Sequence, residues 1–337
     1  MRHLFVINPR SFLDQGDFDA VLLEIKRCFA SRNSARGMDG GANGMGGGGD
    51  CFIHISRFPR DAVGMIHQQM AKVETSETVR IYALGGDGIL FDCINGAVGF
   101  PNAELVSVPY GKTNDYIRAF GEGKHHLFRN IDALIDETNI IPTDLIYYGN
   151  NYAINVSTVG MESTAVIRMK VLEKKYFKYS NKFPFIYTFL VFLAGFISLF
   201  DQKLIFQHYD ITIDGEDYSG NYATINIANG PCYGGDMCPV PTAVPDDGYL
   251  DAQLYKSQST LTLLRSIQRY LHGKRRMDHV LLKRAKKVSI RSGKPLLIQL
   301  DGEMLVDTNI TMEVAPHAIR MVTPKGLRYE RRAPFDA

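Results

Sequence analysis

The sequence predicts a two-domain protein of α/β plus all-β class. An N-terminal doubly wound α/β domain spans residues 1–139, an antiparallel β-sandwich-like domain spans 140–318, and residues 319–337 return toward the first domain. Three observations predict this. The length of 337 residues suits two domains of about 100 to 200 residues each. Up to residue 139, strand-like and helix-like runs alternate, the pattern that builds a parallel sheet covered by helices. Beyond it the runs are short, alternate apolar with polar residues, and are punctuated by Gly, Asn and Asp turns, as in antiparallel β domains.

The elements follow in chain order. His3–Asn8 (HLFVIN) is a compact apolar run and predicts a buried strand, and Phe18–Ala30 carries apolar residues at helical spacing. Cys51–Phe58 predicts a strand, Ala62–Val73 a helix and Val79–Leu84 (VRIYAL) a strand. Residues 37–50 hold eight glycines among fourteen and predict a flexible insertion. Within it, residues 44–49 match GxGxxG literally, but they precede a strand instead of following one and opening a helix, so no dinucleotide loop is read there. In the second part LIYYGNNYAINVS, YDITIDGEDYSGNYATINIAN, YLDAQLY, KKVSIRS and PLLIQL predict strands. Phe183–Phe200 is uncharged and reaches the lower edge of membrane-spanning length. Pro184, the polar Tyr187, Thr188 and Ser198, and the strand-like flanks favour a helix buried in the domain or lying against lipid.

Composition narrows the function classes. The 38 Lys and Arg against 36 Asp and Glu leave a net charge of +2, which argues against a nucleic-acid binder. Hydrophobic content of 45% and charged content of 22% argue against disorder. The five cysteines are scattered, form no CxxC pair and have no His partners at zinc spacing, which predicts a reduced cytoplasmic protein without a disulfide framework. The opening MRHLFVINPR lacks the apolar length of a secretion signal.

The strongest local motif is Gly85-Gly86-Asp87-Gly88, directly after the strand VRIYAL and before a helix-like run. Glycines at a strand's carboxyl end let backbone amides approach phosphate oxygens, a helix N-terminus favours anions, and the Asp is placed for magnesium or ribose. A plain strand-to-helix turn would read the same way. A second loop, Val108-Pro109-Tyr110-Gly111-Lys112-Thr113-Asn114-Asp115, again follows an apolar run. Its GKT is not a Walker motif, because Val106 stands where the pattern needs glycine. Two such loops on successive strands favour a nucleotide site over either alone. Further on, residues 229–236 (NGPCYGGD), Val244–Asp251 (VPDDGYLD) and Asp301-Gly302-Glu303 place acids in turns, where oxygen ligands or a general base are wanted.

In this order the motifs resemble the diacylglycerol kinase catalytic-domain family of lipid kinases, related to sphingosine kinases and more distantly to NAD kinases and phosphofructokinases. The resemblance runs from Asn8-Pro9-Arg10-Ser11 to the DGE turn. It implies a nucleotide-binding α/β domain, a β-sandwich-like domain, an active site in the cleft between them, and Mg2+-dependent phosphoryl transfer from ATP to a lipid hydroxyl. By the resemblance, Asn8, Ser11, Gly85, Gly86, Asp87, Gly88 and Asn114 bind ATP, and Lys112 lines the same loop. Asp301 is the general base with Glu303 beside it, and Asp87, Asp115 and Asp144 surround catalytic Mg2+. A structural metal is held by Asp247 and by the carbonyls of Val244 and Tyr249.

The chain departs from the family pattern at several places. Ile89 and Lys112 stand where Thr is usual, Phe12 and Asp236 where Gly is usual, and Gly160-Met161-Glu162-Ser163 where the family has GFDA. Two rival readings follow, a NAD kinase-like nucleotide kinase and a catalytically weak lipid- or nucleotide-binding protein. Leu264–Lys294 carries eleven Lys and Arg against one acid, Asp278. That stretch predicts attraction to anionic phospholipid, hence a cytoplasmic enzyme held peripherally at the membrane of its lipid substrate, or else a solvated basic face. Oligomeric state, a homodimer included, stays open.

Overall fold

The computed structural model describes residues 1–35, 51–182, 184–235, 237–272 and 279–331. The glycine-rich insertion and Asp236 lie outside the described residues. The chain divides into two units, Met1–Leu145 with Pro316–Glu330, and Ile146–Ala315 with Arg331–Ala337.

In the first unit β1 (Arg2–Ile7), β2 (Cys51–Ile55), β3 (Val79–Gly85) and β4 (Ala103–Pro109) form a parallel sheet in the order β4-β3-β1-β2. A returning stretch of chain extends it, pairing Met321 and Val322 with Leu105 and Val106 in parallel. Four helices accompany these strands: α1 (Gln15–Ala35), α2 (Asp61–Met70), α3 (Asp87–Ala97) and α4 (Ile131–Asp136). Every residue of β3 and β4 is buried, as expected of parallel strands covered on both faces. One core joins Phe5, Ile7, Tyr82, Leu84, Val106 and Val108 of the sheet to Val21, Ile25, Ile131 and Leu134 of α1 and α4. The rings of Phe5 and Tyr82 stack within it, 4.2 Å apart.

One buried ion pair fixes the register of this sheet. Arg80 and Glu104 are direct neighbours across β3 and β4. Nε and Nη2 of Arg80 donate to Glu104 Oε2 at 3.0 and 2.9 Å, while Nη1 donates to the carbonyls of Leu134 and Ile135. A charge so buried is tolerable only when its hydrogen-bonding groups are matched in this way.

β5 (Thr138–Tyr148) follows α4 and runs unbroken past residue 139, so the division between units falls at residue 145, inside a strand and not at a loop. The second unit continues with β6 (Asn151–Ala153), β7 (Val156–Gly160), α5 (Met161–Lys182), α6 (Pro184–Leu199), α7 (Gln202–Ile205), β8 (His208–Ile213), β9 (Glu216–Asp217) and β10 (Gly220–Ala228). β11 (Leu250–Lys256), α8 (Thr260–His272), β12 (Val280–Ala285), β13 (Lys287–Leu300) and β14 (Glu303–Pro324) complete it, the end of β14 being the stretch that returns to the first unit. The strands β12-β11-β10-β7-β13-β14 pair antiparallel in that order, and β8 pairs with both β10 and β13. Burial along β8 alternates residue by residue, the period of a half-buried strand.

Three features differ from the sequence reading. α5 and α8 are helices inside the stretch that the sequence assigns to the β domain. The runs KKVSIRS and PLLIQL are one strand, β13, whose pairing register shifts between Arg291 and Leu296. The cysteine expectation is corrected: Cys232 and Cys238 form a disulfide, while Cys28, Cys51 and Cys93 are free and buried. A glycine-rich turn, and not a CxxC spacing, brings those two sulfurs together. The uncharged run forms α6, and among the described residues no helix is long and apolar enough to cross a membrane.

Candidate active site

In the first unit, the loops after β3 and β4 interlock. The amides of Tyr110 and Gly111 both donate to the Gly85 carbonyl at 2.9 Å. A Cβ added at Gly111 would lie 2.2 Å from Gly86 Cα, and one at Gly86 would lie 2.8 Å from the Thr113 carbonyl oxygen. These glycines are therefore required by contact between two backbones. Asn114 Nδ2 closes the second loop on the Gly111 carbonyl at 2.7 Å. Asn8, at the end of β1, donates its amide to the Leu84 carbonyl and accepts from the Arg10 amide. Ser11 Oγ lies 2.9 Å from where a Gly85 Cβ would stand. Asn8, Ser11, Gly85, Gly86, Gly111 and Asn114 are thus gathered at the carboxyl end of the parallel sheet, where open α/β sheets hold ligands.

Asp87 opens α3 with Gly86 as its N-cap, and no side chain caps that helix end. The Asp115 amide donates to Asp87 Oδ1 at 2.8 Å, whereas the buried Oδ2 has no hydrogen-bond partner among the described residues. Burial raises the pKa of this carboxyl, and the Thr113 hydroxyl and neighbouring amides oppose that only in part. An orphaned, desolvated carboxylate oxygen beside a glycine cradle fits a cation. Asp144 is also buried, but its Oδ1 accepts the His317 amide at 2.7 Å and so anchors the returning stretch. Among the described residues no three His, Cys, Asp or Glu side chains are grouped to hold a metal.

Two of the departures have local explanations. Ile89 is buried in α3, and its Cγ2 would stand 2.7 Å from a Gly85 Cβ, so it packs under the loop instead of offering it a hydroxyl. Phe12 stacks on Tyr110 at 4.8 Å and meets Phe18 edge-on at 5.4 Å, an aromatic wall beside the second loop.

In the second unit, Asp301 and Gly302 form the two-residue turn of the β13–β14 hairpin, with Leu300 paired to Glu303 and φ of 45° and 91°. Positive φ at both turn residues is what a two-residue hairpin of matching twist requires, and Asp-Gly is a favoured pair for it. The Asp301 carboxylate accepts the amides of Ile154 (2.6 Å), Asn155 (3.1 Å to each oxygen) and Val156 (2.8 Å). Lys170 Nζ of α5 donates to the Gly302 carbonyl, and Glu303 is exposed. The Asn155 carbonyl accepts the amides of Asn229 and Gly230, so the motif beginning at Asn229 supports the loop that holds Asp301. The amide cradle and Lys170 escaped the sequence reading, since main-chain donors leave no trace in residue identity.

Comparison with known proteins converges on one family. The chain matches the diacylglycerol kinase catalytic domain over residues 50–147 and the YegS C-terminal NAD kinase beta sandwich-like domain over residues 179–323. The chain belongs to the diacylglycerol kinase catalytic-domain family. As a member it is an enzyme of the lipid-kinase kind. "Putative lipid kinase SAR0780" of Staphylococcus aureus (strain MRSA252) is 24% identical to this family member over 281 residues, covering 82% of this chain and 87% of the relative. Two Bacillus anthracis str. Sterne crystal structures, one titled a putative diacylglycerol kinase and the other a diacylglycerol kinase, share its fold. Their TM-scores are 0.68 and 0.67 at 20% and 18% identity, covering 96% and 97% of this chain and 97% and 98% of theirs.

Proposed function

We propose that this lipid kinase transfers the γ-phosphate of ATP to a hydroxyl of diacylglycerol or a related lipid. The observation that carries the reading is the interlocked pair of glycine loops around Asp87, whose buried Oδ2 has no hydrogen-bond partner among the described residues. The uncapped start of α3 holds phosphate oxygens, and Asn8, Ser11 and Asn114 orient the nucleotide. A bound Mg2+ would neutralise phosphate charge, and Asp87, with Asp115 beside it, is the residue that fits it. The Asp301-Gly302-Glu303 turn supplies the carboxylate that takes the proton from the attacking lipid hydroxyl, the role the family resemblance gives to Asp301. Little covalent work falls to the protein, so positioning and charge stabilisation supply most of the acceleration.

The acceptor sits in a bilayer, and the surface partner this reading implies is anionic phospholipid. What supports it is the basic stretch Leu264–Lys294, although Arg284 and Lys287 there are engaged by Asp247 and Glu313. Arg265 and Lys294 are exposed, and neutralising both is expected to weaken sedimentation with anionic vesicles at low salt. The deciding assay is incubation with labelled ATP and either a lipid panel or NAD. Label in a lipid hydroxyl is the expected result. Label in NAD alone would overturn the reading, and nucleotide binding without transfer to any acceptor would mark a binding protein.

A further inference from the structure

The family resemblance places a structural divalent cation on Asp247 and the carbonyls of Val244 and Tyr249, and the residues around that turn do not fit one. Both oxygens of Asp247 are in use: Oδ2 accepts from Arg284 Nη2 at 2.7 Å, and Oδ1 accepts the Tyr249 amide at 3.0 Å. The Val244 carbonyl accepts the Asp246 amide at 2.9 Å. The Arg284 guanidinium carbon lies 4.2 Å from the centre of the Tyr249 ring, with Lys286 Nζ 5.4 Å from the same ring. A divalent cation at Asp247 would have to displace a charge-assisted hydrogen bond and sit against two resident positive charges.

The strands deliver Arg284 to this place. In the antiparallel pairing of β11 with β12, Arg284 stands directly opposite Asp251. Asp251 is buried, accepts the Thr242 hydroxyl at 2.8 Å, and lies within the field of both Asp247 and Arg284. The third acid of the turn, Asp246, is paired with Arg331 at 2.9 Å. Two guanidinium groups therefore face three carboxylates, the balance of charge that an ion would otherwise supply.

We propose that the Arg284 guanidinium takes the place of the structural cation, so that the Val244–Asp251 turn keeps its shape without divalent metal. The inference is independent of which acceptor the enzyme phosphorylates. It separates two uses of metal: the Asp87 site fits a cation, whereas the Asp247 site carries its own positive charge.

The test is thermal unfolding of the full chain, without nucleotide, in chelator and in millimolar Ca2+. It uses an Asp87→Asn background to silence the other acidic site. The expected result is the same Tm in both conditions, and a Tm lowered by about 2 °C or more when Arg284→Gln is added. In that double variant Ca2+ raises the Tm, because the vacated carboxylates accept the ion. A Tm that falls in chelator with Arg284 present overturns the proposal, as does a divalent ion retained at one per chain after gel filtration. An Arg284→Gln variant that melts unchanged, or that ignores Ca2+, also overturns it. The chelator and retention measurements need no change at Arg284, so they decide even if that variant folds poorly.

Discussion

The Asp301 carboxylate accepts the Val156 main-chain amide at 2.8 Å, one of three consecutive amides that it gathers. A residue expected to act on substrate thus also closes the loop before β7. Replacing Asp301 by Ala is expected to abolish transfer and also to destabilise the protein by about 2 kcal/mol or more, because three amides lose their acceptor. Glu303→Gln, exposed and outside this cradle, is expected to lower kcat with an unchanged unfolding midpoint. Urea titration beside a steady-state assay separates the two. An Asp301→Ala variant of wild-type stability would show that the cradle contributes nothing.

Gly111→Ala is expected to weaken nucleotide binding tenfold or more, since its Cβ would stand 2.2 Å from Gly86 Cα and push the two loops apart. Gly64→Ala, in α2 and outside the loops, where a Cβ meets nothing within 4 Å, should leave affinity unchanged. Titration calorimetry with an ATP analogue on both variants checks the contrast.

Asp87 predicts a pH dependence. Its folded pKa is raised by burial, so the folded state holds the proton more tightly than the unfolded chain does. The stability this contributes is complete below the ordinary carboxylate pKa of about 3.9 and is lost as pH rises through the raised value. Asp87→Asn should abolish transfer yet, in chelator, melt increasingly above wild type as pH rises across that window. A constant difference in Tm from acid to neutral pH would argue against it.

Glu104→Ala strands Arg80 in the sheet and is expected to cost about 3–5 kcal/mol. Replacing the pair together, Arg80→Met with Glu104→Leu, should cost less than Glu104→Ala alone. Denaturant unfolding of the single and double variants measures it.

Much of the architecture was legible because periodicity and burial are local properties. The alternating runs before residue 139 predicted the parallel order of strand and helix, and GGDG after VRIYAL marked the loop that tops β3. The Asp-Gly of the DGE motif is itself a hairpin signal, and it forms the turn between β13 and β14. The length of β14 was not legible, since its last residues pair with β4, a partner far along the chain.

For the site, the sequence by itself determined the identities: two glycine loops on successive strands, an acid after the first, and an acidic turn late in the chain. Glycine's missing Cβ and the charge of a carboxylate are properties of the residue alone. Tertiary structure decided which oxygens are left over. It orphaned Asp87 Oδ2, occupied Asp301 with three amides, gave Asp144 to His317, and set Arg284 across from Asp251 to reach Asp247. The reason is that a carboxylate's role depends on the donors around it, and those come from main-chain amides and strand registers that no spacing of residue types encodes.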